Sequence, residues 1–289
     1  MNAPNGEQDP KIYLLPNLMT AGNLFCGFAA VLKIIEAALV MQQGTTPTVL
    51  YHEAIAFILG ACVFDLLDGR LARLGGHESP FGREFDSLAD VVSFGVAPAL
   101  LVYQIVLRDF SRTGWVIAFF YLLCGTLRLA RFNCLAAATA APSGREQNSP
   151  RPGSTDFVGF PIPAAAGLIA SLTLLMLWVE EGSREIGAWK FGLPVLLVFL
   201  SFMMFSHVRY PSFKGLGWRT QRSLPRFLGI IILLALCALN YEWMPAAVFT
   251  AYLAYGFARP FLSRRIRHEI EDDEDTPPDN GPTPGTGSL

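Results

Sequence analysis

Between residues 17 and 262 the sequence alternates apolar stretches with short polar breaks. Eight stretches can be traced, at 17–41, 50–73, 84–107, 114–137, 161–180, 189–208, 225–241 and 245–262. Most approach the ~20 residues that an α-helix needs to cross ~30 Å of hydrocarbon. A lipid-exposed backbone must satisfy its own hydrogen bonds, which leaves helices or closed barrels. The length of the runs selects helices, so the fold class expected is an all-α membrane protein with about eight transmembrane helices. Only 16% of the residues are charged, against about 25% in soluble domains. The last two stretches are short and share the break at Trp243-Met244-Pro245, which makes them a tight pair. Trp115, Trp178, Trp189 and Trp243 stand at segment ends, where interfacial anchors belong. The five cysteines, Cys26, Cys62, Cys124, Cys134 and Cys237, lie in or beside apolar runs without a zinc or Cys-x-x-Cys spacing. They read as small buried hydrophobes.

Lys and Arg set the orientation. With a cytoplasmic N-terminus, the outer side holds only Arg108, Arg112, Arg184 and Lys190. Lys33 lies inside the first stretch, where it faces Glu36 at i,i+3, and every other Lys and Arg falls on the inner side. Both termini are therefore expected in the cytoplasm. Residues 1–262 form one membrane domain on this reading. Residues 263–289, acidic and then rich in Pro and Gly, form a disordered cytoplasmic tail. Residues 139–158 read as a cytoplasmic loop.

Against this apolar background stands DLLDGRLARLGGHESPFGREFDSLAD, residues 65–90, with aspartates at 65, 68, 86 and 90. The first two are three apart and the last two four apart, so on helices each pair shares a face. Two such faces meeting antiparallel bring four carboxylates into a small volume. A charge at mid-membrane costs ~3 kcal/mol on insertion scales, less at the interface, and like charges held together need a positive partner. For an all-oxygen cluster the usual partner is a hard divalent cation. Gly69, Ala72 and Gly82 remove bulk beside the carboxylates, and Arg73 offers a forked donor suited to phosphate. A metal-bound diphosphate fits that set. The alternatives are interfacial ion pairs with Arg70, Arg73 and Arg83, or the carboxylates of an ion-coupled transporter. Transporter carboxylates tend to lie near the midplane, in repeated halves, whereas this cluster is a single copy beside a surface loop.

In the first stretch, Thr20, Asn23 and Gly27 share a helix face. This polar strip either packs helices closely through small residues or lets a ligand approach.

The stretch at 65–90 fits D-x2-D-G-x2-A-R-x8-G-x3-D-x3-D without a gap, and so resembles the CDP-alcohol phosphatidyltransferase family. The fixed positions are Asp65, Asp68, Gly69, Ala72, Arg73, Gly82, Asp86 and Asp90. The resemblance implies a membrane enzyme that moves a phosphatidyl-type group from a CDP-linked donor to an alcohol and releases CMP. It implies that Asp65, Asp68 and Asp86 hold metal, and that Asp90 completes a two-metal site and acts as general base. Mg²⁺ or Mn²⁺ is the cofactor expected. Gly69, Ala72 and Arg73 would lie against the CDP moiety, with Gly82, Thr20 and Asn23 as further candidates. The segments PNLMTAGNLFCGF, DSLADVVSFGVAPA, TLRLARFN, GFPIPAAAG and SHVRYPSFK resemble the bacterial members that use L-serine as acceptor. Such an acceptor needs a cation for its carboxylate. Arg128 and Arg131, at i,i+3, are the candidates, with inner-surface anchoring as their other reading. The partners implied are CDP-diacylglycerol, L-serine, membrane lipids and a second copy in a homodimer, with no nucleic acid. The setting implied is the bacterial inner membrane with the site facing the cytoplasm. Glycerol 3-phosphate or an inositol phosphate stays open as acceptor.

Overall fold

The computed structural model describes residues 14–75, 80–110, 112–140, 157–181, 191–206, 209–210, 232, 235–237 and 239–258. Lys11, the 263–289 tail and most of the 139–158 loop lie outside the described residues, as do Trp189 and most of the seventh stretch.

The described residues are helical apart from one minimal strand pairing. Helices α1 (Leu14–Gln42), α2 (Thr48–Gly75) and α3 (Pro80–Asp90) come first. A π-helical turn (Val91–Val96) joins α3 to α4 (Ala97–Ile105). Then follow α5 (Gly114–Ala140), α6 (Ile162–Glu181), α7 (Gly192–Phe205) and α8 (Met244–Ala258). Five helical spans are long and apolar enough to cross a membrane: Asn17–Gln42, Thr48–Gly69, Pro80–Ile105, Gly114–Leu135 and Ile162–Glu180. They match the first five stretches and make this an integral membrane protein.

The sixth stretch is shorter as a helix than as an apolar run. α7 has 14 residues, about 21 Å at 1.5 Å per residue. It ends where Ser206 turns extended, and the Ser206 N–H and Oγ–H both donate to Met203 O. Beyond it, β2 (Arg209–Tyr210) pairs antiparallel with β1 (Phe157–Val158), Val158 opposite Arg209. Phe160 N–H donates to Met203 O at 3.0 Å. Gly159 sits at φ 86° with Met204 O where a Cβ would be, so only glycine suits that turn. α8 opens with Pro245 one residue inside its start, a favoured place because the missing N–H would be unpartnered there anyway. The break at Trp243-Met244-Pro245 is thus real.

α1 shows why the bundle suits lipid. Thr20, Asn23, Ala30, Ile34 and Ala37 are buried, on one face spaced by three and four with Gly27. Leu18, Phe25, Phe28, Leu32, Ile35 and Leu39 are exposed on another face. In water that would be inside out; in hydrocarbon it puts apolar side chains against lipid and small ones at the helix seam. α2 answers with Tyr51, Ala54, Ile55, Ile58 and Ala61, the same face that carries Asp65 and Asp68 one and two turns on. α6 and the Pro80–Ile105 span are the most enclosed. Trp115, Trp178 and Trp243 are exposed at helix ends. Cys26 and Cys124 are buried and Cys62 is half-buried, but Cys134 is exposed near the end of α5, unlike the sequence expectation. Lys33 pairs with Glu36 at 3.1 Å and also with Glu53 of α2 at 2.8 Å.

Candidate active site

The end of α2 lies beside the start of α1, where Thr20 bonds to Asp68, and beside the second half of α3, which carries Asp86 and Asp90. Asp65, Asp68 and Asp86 each present a carboxylate oxygen within 4.8 Å of the others. Asp68 is buried, and Asp65 and Asp86 are half-buried. Ligands on opposite sides of a Mg²⁺ ion stand about 4.2 Å apart at ~2.1 Å per bond. A spread of 4.8 Å therefore closes onto one small cation with minor side-chain rotation, and the donors are all hard oxygens. The residues present fit a divalent ion.

Asp90 stands one turn beyond Asp86, buried, and is not one of that close set of three. It remains within electrostatic range of all three. Its Oδ1 accepts from Asn23 Nδ2 at 3.0 Å, and Asp68 Oδ2 accepts from Thr20 Oγ1 at 3.2 Å. The Gly69 backbone N–H also serves Asp68. The polar strip on α1 is thus the seam that holds two of the four carboxylates. Thr20 and Asn23, expected at the CDP moiety, have these donors committed to aspartates.

The π-helical turn starts at the residue after Asp90, with Ala97 N–H bonded back to Val92 O. Such turns are rare and often mark functional sites. Three contacts fix it. Ser93 Oγ donates to Asn23 O at 2.9 Å, Tyr121 OH donates to Phe94 O at 3.0 Å, and Gly27 lies so close to Ser93 that a Cβ would overlap it. Sequence reasoning missed Ser93 and Tyr121. A serine inside the apolar run VVSFGV is a faint signal for the first; nothing marks the second.

α5 closes the site from the other side. Arg128 is half-buried, and its Nε is enclosed without a hydrogen bond among the described residues. Its guanidinium lies within electrostatic range of Asp90, Asp65 and Tyr252. Arg131 is exposed. Asn133 Nδ2 donates to Ser87 Oγ at 2.9 Å and Glu84 Oε2 at 3.3 Å, tying α5 to α3. Gly69 and Gly82 are half-buried on α2 and α3. The side chains of Arg70, Ala72 and Arg73 lie outside the described residues.

The arrangement brings together a carboxylate set with the geometry to hold a cation, a separately held carboxylate and an arginine, at one end of a membrane bundle. Metal-assisted displacement at a phosphorus with a positioned base is the chemistry it suits.

The CDP-alcohol phosphatidyltransferase profile matches residues 13–205. A CDP-diacylglycerol–serine O-phosphatidyltransferase of Helicobacter pylori is 35% identical over 250 residues, 86% of this chain and 91% of that protein. The enzyme of the same name from Mycobacterium tuberculosis is 35% identical over 199 residues, 68% of this chain and 62% of that protein. An archaetidylserine synthase of Methanothermobacter thermautotrophicus is 32% identical over 218 residues, 75% of this chain and 77% of that protein. On the extent of the profile match and these identities, the chain belongs to the CDP-alcohol phosphatidyltransferase family.

Proposed function

We propose that this protein transfers the phosphatidyl group of CDP-diacylglycerol to the hydroxyl of L-serine, giving phosphatidylserine and CMP. The observation that carries the reading is the set of three carboxylates within 4.8 Å at one bundle end, with Asp90 held beside it. The serine hydroxyl oxygen forms a bond to the phosphorus that bears diacylglycerol. The phosphoanhydride bond to CMP breaks, and Asp90 takes the hydroxyl proton.

Asp65, Asp68 and Asp86 would hold Mg²⁺ or Mn²⁺, with Asp90 completing a second ion's site. Bound there, the metal neutralises the diphosphate and eases CMP's departure. Gly69, Ala72, Arg73 and Gly82 line the nucleotide side, while Thr20 and Asn23 serve it through the aspartates they hold. Arg128 receives the serine carboxylate, a role supported by its enclosed Nε and its place near Asp90. Arg131, being exposed, contributes to attracting serine or to anchoring.

The Lys and Arg asymmetry supports cytoplasmic termini and a cytoplasmic site in a bacterial inner membrane. α7, α8 and the stretch at 225–241 bring the span count to eight, within one membrane domain at 1–262 followed by a tail at 263–289. Lipid tails enter sideways between helices, and the working unit is a homodimer.

The test is purified protein with CDP-diacylglycerol and Mg²⁺, offered L-serine, glycerol 3-phosphate and an inositol phosphate in turn. Release of CMP with phosphatidylserine, from serine alone, is expected. Turnover with another acceptor in preference to serine overturns the acceptor assignment.

A further inference from the structure

We infer that Asn23 is a positioning residue for Asp90, itself anchored by Ser93 of the π-helical turn. The inference rests on the reading of Asp90 as the group that takes the acceptor's proton.

A carboxylate that receives a proton must present one defined oxygen, and an aspartate on a helix can rotate both of its side-chain torsions. Asn23 removes that freedom. It is fully buried, and its Nδ2 donates to Asp90 Oδ1 at 3.0 Å, which leaves Oδ2 to meet the acceptor. The amide has only one workable orientation. Reversed, it would set Asn23 Oδ1 against a carboxylate oxygen, since an ionised carboxylate only accepts. In the orientation present, Asn23 Oδ1 is enclosed without a hydrogen bond among the described residues. Asn23 thus forgoes a bond of its own to serve Asp90.

The backbone beneath Asn23 is fixed as well. Ser93 Oγ donates to Asn23 O at 2.9 Å, the carbonyl that also faces the N–H of Gly27 one helical turn on. Gly27 gives Ser93 the space to reach it, because a Cβ there would overlap Ser93. Ser93 lies only three residues from Asp90, on the π-helical turn that Tyr121 holds from α5 through Phe94 O. The segment carrying the base therefore reaches back to the residue that orients the base. Groups that orient a functional side chain from behind typically change activity 10–100-fold when removed. The same logic separates Asn23 from a nucleotide contact, which would act on binding of the CDP-lipid.

The test uses the full-length protein in detergent micelles with Mg²⁺, CDP-diacylglycerol and L-serine. Asn23→Leu keeps the branched four-atom side chain and removes the donor. Its kcat is expected to fall ~10–100-fold, with both KM values within about twofold of wild type. Ser93→Ala, which removes one hydroxyl and keeps the helix, is expected to lower kcat in the same way by less than about tenfold. It carries the test if Asn23→Leu does not fold. An Asn23→Leu or Ser93→Ala protein with wild-type kcat overturns the inference. So does a rise in the CDP-diacylglycerol KM as large as the fall in kcat, which makes Asn23 a nucleotide contact. Asp90→Asn run alongside separates the two claims. Inactive Asp90→Asn beside fully active Asn23→Leu overturns the positioning role alone, whereas active Asp90→Asn overturns the base and the positioning role together.

Discussion

Asn23 on α1 donates to Asp90 on α3 at 3.0 Å, across 67 positions of sequence. Thr20, one turn earlier, makes the equivalent bond to Asp68 at 3.2 Å. The first helix brings no carboxylate to the cluster, yet it orients two of the four. A rigid bundle of apolar helices with a strip of small and polar residues at its seam is what allows this. Preorganised donors then need not be ordered at the moment of reaction.

Removing divalent cations should stop CMP release, and Mg²⁺ or Mn²⁺ should restore it. Thr20→Val, which takes away the hydroxyl that holds Asp68, should raise the half-activating Mg²⁺ concentration roughly tenfold. Titration of activity against metal checks both. Full turnover in excess chelator would contradict the carboxylate cage.

Arg128 and Arg131 should separate in kinetics as they do in space. Hydrogen bonds to charged groups are worth ~1.5–3 kcal/mol, so Arg128→Gln should raise the serine KM by about 10–100-fold. The CDP-diacylglycerol KM should stay within about twofold, and the exposed Arg131→Gln should change either one far less. An equal effect of Arg128→Gln on both substrates would return that residue to anchoring.

Gly27 and Gly60 lie on neighbouring helices and should respond in opposite senses. A Cβ at Gly27 would overlap Ser93, whereas one at Gly60 meets only Cys26 Sγ at 3.8 Å, an ordinary contact. Overpacking costs ~1–3 kcal/mol, while replacing a mid-helix glycine by alanine gains ~0.5–1 kcal/mol. Thermal unfolding in detergent should show Gly27→Ala destabilised and Gly60→Ala unchanged or improved. A neutral Gly27→Ala would mean that the π-helical turn yields easily.

Much of the site was readable because helix periodicity is local. The i,i+3 and i,i+4 spacings placed Asp65 with Asp68, Asp86 with Asp90, and Thr20 with Asn23 and Gly27, before any tertiary information. Which of these faces meet depends on packing. The strip on α1 left packing and ligand approach equally open, and it proves to be a seam that holds carboxylates. Asp90 stands apart from the close set of three because side-chain direction, and not spacing alone, decides which oxygens converge. Arg128 and Arg131 share a helix turn, but a 300° step leaves one enclosed and the other exposed. The π-helical turn has no mark in the hydrophobic pattern, since it adds a residue to one turn without altering the apolar run. Apolar length also overstated α7, because Ser206 leaves the helix to cap Met203 O and Arg209–Tyr210 join the β1–β2 pairing.

We propose that the aspartate cluster at the ends of α2 and α3 performs the transfer with Asp90 as base. Serine-dependent CMP release by purified Asp90→Asn protein, measured together with its binding of CDP-diacylglycerol, tests it most directly. The account predicts no detectable phosphatidylserine, with CDP-diacylglycerol bound about as tightly as by wild type. Sustained formation of phosphatidylserine by the Asp90→Asn protein would contradict it.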